Sequence, residues 1–159
     1  MMKHKTFTTL ITLFFICLLP TSMHAQNCDV ITRVQLKEKL EQMGFSVKTI
    51  NDKAGEEKYE VTHPGAGFSV PLGYEISAST NFIWITAYLG KADTTNSTKA
   101  VNILKQNSSI QPSFFYITQK GNIMMAVAVE NRGVTAAILR RHIDKLVGDV
   151  SKTSDLWQQ

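Results

Sequence analysis

The sequence is poor in the residues that usually advertise chemistry. Cysteine occurs twice in 159 residues, as Cys17 and Cys28, too few for the disulfide framework of a small secreted scaffold. Proline occurs only four times, and no tract is rich enough in proline, glycine or serine to act as an interdomain linker. The one long apolar run, Leu10 to Leu19, falls short of the roughly 20 residues that a membrane-spanning helix needs. His4, His24, His63 and His142 are the only histidines, and none stands with Cys or Asp at metal-ligand spacing, so no metal or other cofactor is expected. Gly65-Ala66-Gly67 lacks a following Gly-Lys-Ser/Thr and opens a strand instead of a helix, which removes a phosphate loop. The G-x-S-x-G elbow of the serine hydrolases is also missing.

What is present begins with an address. Lys3 and Lys5 precede the apolar run, and Pro20, Thr21-Ser22 and the small residue Ala25 follow it. That is the layout of a secretory signal peptide over residues 1–25, although Met23 stands where a small minus-three residue is usual. The expected mature chain is residues 26–159, one domain, exported to the periplasm or the extracellular space, with no membrane span. Its charge is modest. The 17 basic residues include Lys3 and Lys5, leaving 15 against 13 acids, a net charge of +2. The basic balance of the whole chain therefore reflects the leader, and no nucleic-acid partner is expected. Cys28 is left without an intramolecular mate, a free thiol or a bridge between chains.

Helix and strand signals alternate along the rest. Thr32 and Gln35 form a capping box, and Ile31 with Leu36 forms a hydrophobic staple. Leu36, Leu40 and Met43 then share a face until Gly44. Phe45–Thr49 and Lys58–His63 alternate as strands around a polar turn at 52–57. Phe68, Val70, Leu72, Tyr74 and Ile76 alternate over nine residues, with Pro71 and Gly73 on the other face; proline and glycine there predict an edge strand or a bulge. Phe82–Leu89 is apolar in both parities and predicts an inner strand. Residues 98–107 predict a short helix with Val101 and Leu104 inward and Lys99 and Lys105 outward.

The last third carries the clearest signals. Phe114–Thr118, the turn Gln119-Lys120-Gly121-Asn122 and Ile123–Glu130 read as a β-hairpin. Met125, Val127 and Val129 make one face bulky, while Ala126 and Ala128 make the other flat, which predicts a strand covered on both sides with a helix close against the alanines. Thr135 is the expected N-cap of a long helix whose Leu139, Ile143, Leu146, Val147 and Val150 fall within about a 100° arc; Arg140, Arg141, Asp144 and Lys145 lie outside it. The fold class is therefore α+β: an antiparallel sheet with the order helix, strands, helix, hairpin, helix.

The segment Phe114-Phe115-Tyr116-Ile117…Gly121…Val129-Glu130-Asn131-Arg132-Gly133-Val134-Thr135, followed by Leu139…Ile143…Leu146-Val147…Val150…Leu156-Trp157, resembles the YbjN family. That family is similar in fold to the type III secretion chaperones, small α+β domains that bind other proteins and often dimerise. The resemblance implies a secretion-chaperone-like fold and offers no catalytic motif to transfer. It departs in one respect: an exported protein does not serve as a cytosolic secretion chaperone.

The expected function is thus a small exported, non-enzymatic protein-binding or chaperone-like domain, whose partner is another polypeptide or a second copy of itself. The expected partner surface is the strand Phe68, Val70, Pro71, Leu72, Gly73 and Tyr74, engaged by strand addition, with Arg132 as an exposed corner. Asn131-Arg132-Gly133 also reads simply as a strand exit. Met124-Met125 suits either a pliable binding surface or core filling. The alternatives are a hydrolase or metal-dependent enzyme centred on His63, with Ser69 as the nearby hydroxyl, and a structural subunit of an envelope complex. His142 reads as solvated. Sequons at Asn96 and Asn107 matter only where a glycosylation system meets them.

Overall fold

The structure is a computed structural model that describes residues 29–92 and 97–158. The expected signal peptide, Cys28 and the Asn96 sequon lie outside these residues. Helix α1 (Arg33–Gln42) starts where the capping box predicts: the Gln35 N–H donates to Thr32 Oγ1 at 3.3 Å, and the Thr32 N–H donates to Gln35 Oε1 at 2.8 Å. Gly44, at φ +86°, turns the chain out of the helix, a conformation in which a Cβ would be strained. Strands β1 (Lys48–Asn51), β2 (Lys58–Pro64), β3 (Ser69–Ile76) and β4 (Phe82–Lys91) follow. Then come α2 (Ser97–Lys105) with a 3-10 turn at Gln106–Ser108, the hairpin β5 (Phe114–Ile117) and β6 (Asn122–Glu130), and finally α3 (Ala136–Lys152) and α4 (Ser154–Trp157).

All six strands form one antiparallel sheet in the order β1-β2-β3-β4-β6-β5. The register lines up Tyr59, Tyr74, Ile85 and Val127 in one row, and Val61, Leu72, Ala87, Met125 and Phe115 in the next. Because side chains alternate across a strand, these rows share one face. Leu36 and Leu40 of α1, Ile103 of α2, and Leu139, Ile143, Leu146 and Val150 of α3 belong to the same buried cluster.

Three expectations are corrected. The strand Phe68–Ile76 is not an edge: β3 is paired along its length with β2 and, from Leu72, with β4. Pro71 is tolerated because it registers with Thr62 of β2 while the β4 ladder begins one residue later. Gly73 answers a close approach, since a Cβ there would meet Thr86 Oγ1 at 3.0 Å. Second, α3 packs on the bulky face of β6, where it joins Met125, Val127 and Val129, and not on the alanine face. Larger side chains remove more apolar area from water, at about 25 cal/mol per Å², so the bulky face wins the helix. Third, Ile103 of α2 points inward, whereas Val101 and Leu104 are 49% and 48% exposed. Asn107 lies four residues beyond Ile103, and its side chain bonds to the Phe115 backbone of β5; the rotation that serves this contact turns Ile103 in.

Helix α3 behaves as its periodicity predicts. The Ile138 N–H donates to Thr135 Oγ1 at 3.2 Å, and Leu139, Ile143 and Leu146 are wholly buried. Replacing Leu146 by alanine removes three heavy atoms from this cluster and leaves a void, so Leu146→Ala should cost about 2–5 kcal/mol. Urea unfolding measures it; a loss below about 0.5 kcal/mol, the range of an exposed site, would contradict the docking of α3.

Candidate functional site

Among the described residues, the helices leave the other face of the sheet uncovered. Their buried apolar residues all join the cluster formed by the inner rows, so the opposite parity of each strand looks outward. On β4 that parity is Phe82, Trp84, Thr86 and Tyr88; across from it stand Met124, Ala126 and Ala128 of β6, and beyond these Phe114 and Tyr116 of β5. Tyr88 is 54% exposed and Phe82 43% exposed, while Trp84, Phe114, Tyr116 and Met124 are half-buried. Trp84 and Phe114 meet edge to face at 6.2 Å between ring centres, and Phe114 and Tyr116 lie tilted at 5.9 Å. Ala126, although on this face, is buried between its registered neighbours Thr86 and Phe114.

A trough runs over this face. Gly73 and Thr86 lie along it, with Ile50, Lys58 and Glu75 towards β1 and β2, and Tyr116 and Met124 towards β5. Lys58 and Glu75 form an ion pair at its margin, and Lys48 Nζ lies 3.4 Å from Glu60. Exposed pairs of this kind contribute at most about 1 kcal/mol each, but they leave the face without a net charge from those residues. Burial, with the Glu75 carboxylate nearby, holds the Tyr116 phenol above its ordinary range, so its hydroxyl remains a donor.

The residues expected to form the partner surface are not brought together. Val70, Leu72 and Tyr74 are core residues, 2%, 0% and 1% exposed. Phe68 packs edge to face on Trp157 at 5.8 Å. Only Pro71 and Gly73 look outward. Arg132 is exposed, but it follows Glu130, the partner of Phe82, and so stands at the Ile76 end of β3, opposite Phe68.

The Asn131-Arg132-Gly133 corner is a structural joint. Asn131 is 0% exposed. Its Oδ1 accepts from the Ile31 N–H at 3.2 Å, and its Nδ2 donates to Ile31 O at 3.0 Å and Thr80 O at 2.8 Å. One side chain therefore ties the start of α1, the β3–β4 turn and the end of β6. Thr80 sits at φ +60°, an unfavourable conformation for a β-branched residue, and the bond to its carbonyl helps hold it there.

His63 is 5% exposed. Its Nε2 lies 2.7 Å from the Tyr74 hydroxyl, and its ring meets Phe45 edge to face at 4.8 Å. Arg140 stands over the other partner of that stack, 4.5 Å from the Phe45 ring centre, and donates to Met43 O at 3.0 Å. Burial pushes the His63 imidazole below its ordinary range, and the nearby Arg140 adds to this while Asp144 opposes it; burial also raises the Tyr74 phenol. Ser69 is not a partner of His63. Val70 is the residue in register with His63, so adjacent Ser69 points to the opposite face. Arg140, Asp144, Ser151 and Lys152 line a groove beside His63, with Ser151 Oγ accepting from the Ala66 N–H at 3.3 Å. Among the described residues no three His, Cys, Asp or Glu are grouped to hold a metal.

The open aromatic face escaped the sequence reading, yet a signal for it exists. The inward parity of β4 is aliphatic, Ile83, Ile85, Ala87 and Leu89, whereas the outward parity is Trp, Thr and Tyr around Phe82. Trp, Thr and Tyr each carry a polar atom that prefers a wet surface.

No protein-family model and no curated protein sequence matches the chain. In structure the chain is similar to a chain of the heterodimeric ExoU–SpcU complex from the type III secretion system of Pseudomonas aeruginosa, with a TM-score of 0.52 and 17% identity over 76% of this chain and 96% of that one. At this identity the likeness shows the fold, and it agrees with the secretion-chaperone-like α+β architecture expected from the element order.

Two predictions come from these geometries. Asn131→Ala removes three hydrogen bonds made by a fully buried side chain to partly buried backbone groups and should cost about 1–3 kcal/mol, whereas Arg132→Ala should stay within about 0.5 kcal/mol; equal effects would refute the joint. The second concerns pH. A histidine whose folded pKa is depressed takes up its proton more readily in the unfolded chain. Its stabilising contribution is therefore complete above the unfolded value near 6.5 and declines as pH falls below it. Unfolding measured at pH 7.5 and 5.5 should show a larger loss for the natural protein than for His63→Gln, which keeps a hydrogen-bonding group but does not titrate. Equal losses would mean that His63 is not buried in its neutral form.

Proposed function

We propose that this protein is a non-catalytic, chaperone-like polypeptide-binding domain that acts outside the cytoplasm after removal of residues 1–25. The observation that carries the reading is the bare sheet face. Among the described residues, a six-stranded sheet with helices on one side only keeps Trp84, Tyr88, Phe114 and Tyr116 on the other. Aromatic residues with a polar tip form binding hot spots because they bury much area while satisfying a hydrogen bond. A fold shared with a chain of a heterodimeric type III secretion complex supports a role in holding another polypeptide. The likeness of the last third to the YbjN family is the finer form of the same proposal.

The geometry favours docking on the face over strand addition at β3, which is already paired with β2 and β4. A partner laying apolar side chains across Gly73, Thr86 and Ala126 meets small residues between the aromatic walls. The Lys58–Glu75 pair sets its margin.

A permanently unfolded, reduced and carboxymethylated protein is a suitable probe. Tyr88→Arg changes a side chain already half in water, so folding should survive, and binding should weaken by about tenfold or more, as for an interface hot spot. His63→Ala, on the other face, should bind as the natural protein does. Undiminished binding by Tyr88→Arg would remove the open face as the working surface.

A further inference from the structure

Nine glycines occur in the sequence, and eight have a local reason. Six stand at positive φ, and Gly65 and Gly73 stand where a Cβ would meet a neighbour at 3.0 Å or less. Gly148 has neither reason. It lies inside α3, where glycine weakens a helix relative to alanine, and a Cβ there would meet nothing within 4 Å. The missing side chain leaves open space. Gly148 lines a groove of about 470 Å³ between α3 and the Pro64-Gly65-Ala66 bend, within the roughly 300–1,000 Å³ of small-molecule sites.

A buried polar side chain opens on this groove. His63, 5% exposed, is among its lining residues, and its Nε2 lies 2.7 Å from the Tyr74 hydroxyl. That hydroxyl belongs to a residue 1% exposed and has no other hydrogen-bond partner among the described residues. A buried hydroxyl with a single partner satisfies its proton by donating it, so Nε2 accepts and Nδ1 carries the imidazole hydrogen. Nδ1 makes no hydrogen bond among the described residues, yet it is not one of the sealed atoms without partners. Its N–H is therefore a donor with access to the groove.

Arg140, Asp144, Gly148 and Lys152 recur at four-residue steps and share one flank of α3. An arginine and an aspartate so spaced can pair, but these two do not. The Arg140 guanidinium is drawn to the Phe45 ring and to Met43 O. The Asp144 carboxylate makes no hydrogen bond or ion pair among the described residues. The groove thus sets a cation, a neutral donor and a bare anion beside an apolar wall of Pro64 and Val147.

We propose that this groove binds a small dipolar molecule, an α-amino acid with an apolar side chain. Its carboxylate accepts from His63 Nδ1 and Arg140, its ammonium donates to Asp144, and its side chain lies over Gly148 against Pro64 and Val147. Charge complementarity names the class. A lone carboxylate would face Asp144, and a lone amine would face Arg140 and leave the imidazole N–H unpaired. Lys152 stands about 12 Å beyond Asp144 along the helix, at 1.5 Å per residue, out of reach of such a ligand. The site is on the helix side of the sheet and stands whether or not the open face binds a polypeptide.

Calorimetric titration of the natural protein with L-leucine should show saturable binding, and it should shift the amide signals of Ala66 and Gly148 but not those of Thr86 and Ala126. N-acetyl-L-leucine, which lacks the ammonium, and L-leucinamide, which lacks the carboxylate, should each bind at least about tenfold more weakly. Arg140→Gln and Asp144→Asn should each lose about as much affinity for L-leucine, while Lys152→Gln should change it less than about twofold. Gly148→Ala should raise the melting temperature, because alanine favours the helix. Gly148→Leu should fold, since its side chain enters open space, and should bind L-leucine at least about tenfold more weakly. No binding of L-leucine, equal binding of either blocked analogue, or undiminished binding by Gly148→Leu would each overturn the proposal. So would a loss in Lys152→Gln as large as in Asp144→Asn, the mark of a longer acidic ligand.

Discussion

The structure depends on strand alternation held in register across six strands. Once Tyr59 is opposite Tyr74, Tyr74 opposite Ile85, and Ile85 opposite Val127, every second residue of four strands faces the same way. A slip of one residue anywhere would exchange the core for the open face. Burying one of these aliphatic or aromatic side chains is worth roughly 1.5–3 kcal/mol, so the inner rows demand a cover. Leu36 and Leu40 of α1, together with the Leu139–Val150 stripe of α3, supply it. The helices are thus consequences of the register as much as of their own periodicity.

That register also explains the polar work at the margins. The sheet's rows end where β3 turns into β4 and where β6 leaves for α3. There Asn131 replaces a ladder with side-chain bonds to Ile31 and Thr80. At the far margin Lys145 pairs with the buried Asp149 and donates to Ile110 O at 2.8 Å, fastening the segment before β5 to α3. Neither contact touches the open face. Both tie backbone carbonyls of one segment to a side chain of another and so make fixed corners, each bond worth about 0.5–1.5 kcal/mol.

Local physics was legible in the sequence, and long-range order was not. The Thr32–Gln35 box, the Thr135 cap, the turn at Gly121 and the stripe Leu139, Ile143, Leu146 and Val150 depend on residues within a few positions of one another, and each forms as read. The place of β3 depends on a return from far along the chain. Strand β6 inserts beside β4 and leaves β5 outside, so the edges fall at β1 and β5. Pro71 and Gly73 were true signals of a local gap, but they report on a ladder boundary and a close approach to Thr86, not on an edge. The surface inferred from them failed for that reason. Parity was equally underdetermined on β6, because both of its faces are apolar. Only the size contrast between valine and alanine decides which receives the helix.

A bare aromatic face is hazardous for a protein that also has sheet edges. Strand pairing at an edge would align two open faces side by side and double the apolar surface available for further association. The two liabilities therefore have to be separated, and the sequence separates them by different means. Small residues, Gly73, Ala126 and Ala128, keep the open face shallow, while Lys58 and Glu75 keep its margin wet. At the edges, β1 bulges at Ile50, and the 3-10 turn Gln106–Ser108 lies against β5 with Asn107 bonded to the Phe115 backbone. The face can then stay uncovered because the backbone beside it is already spoken for.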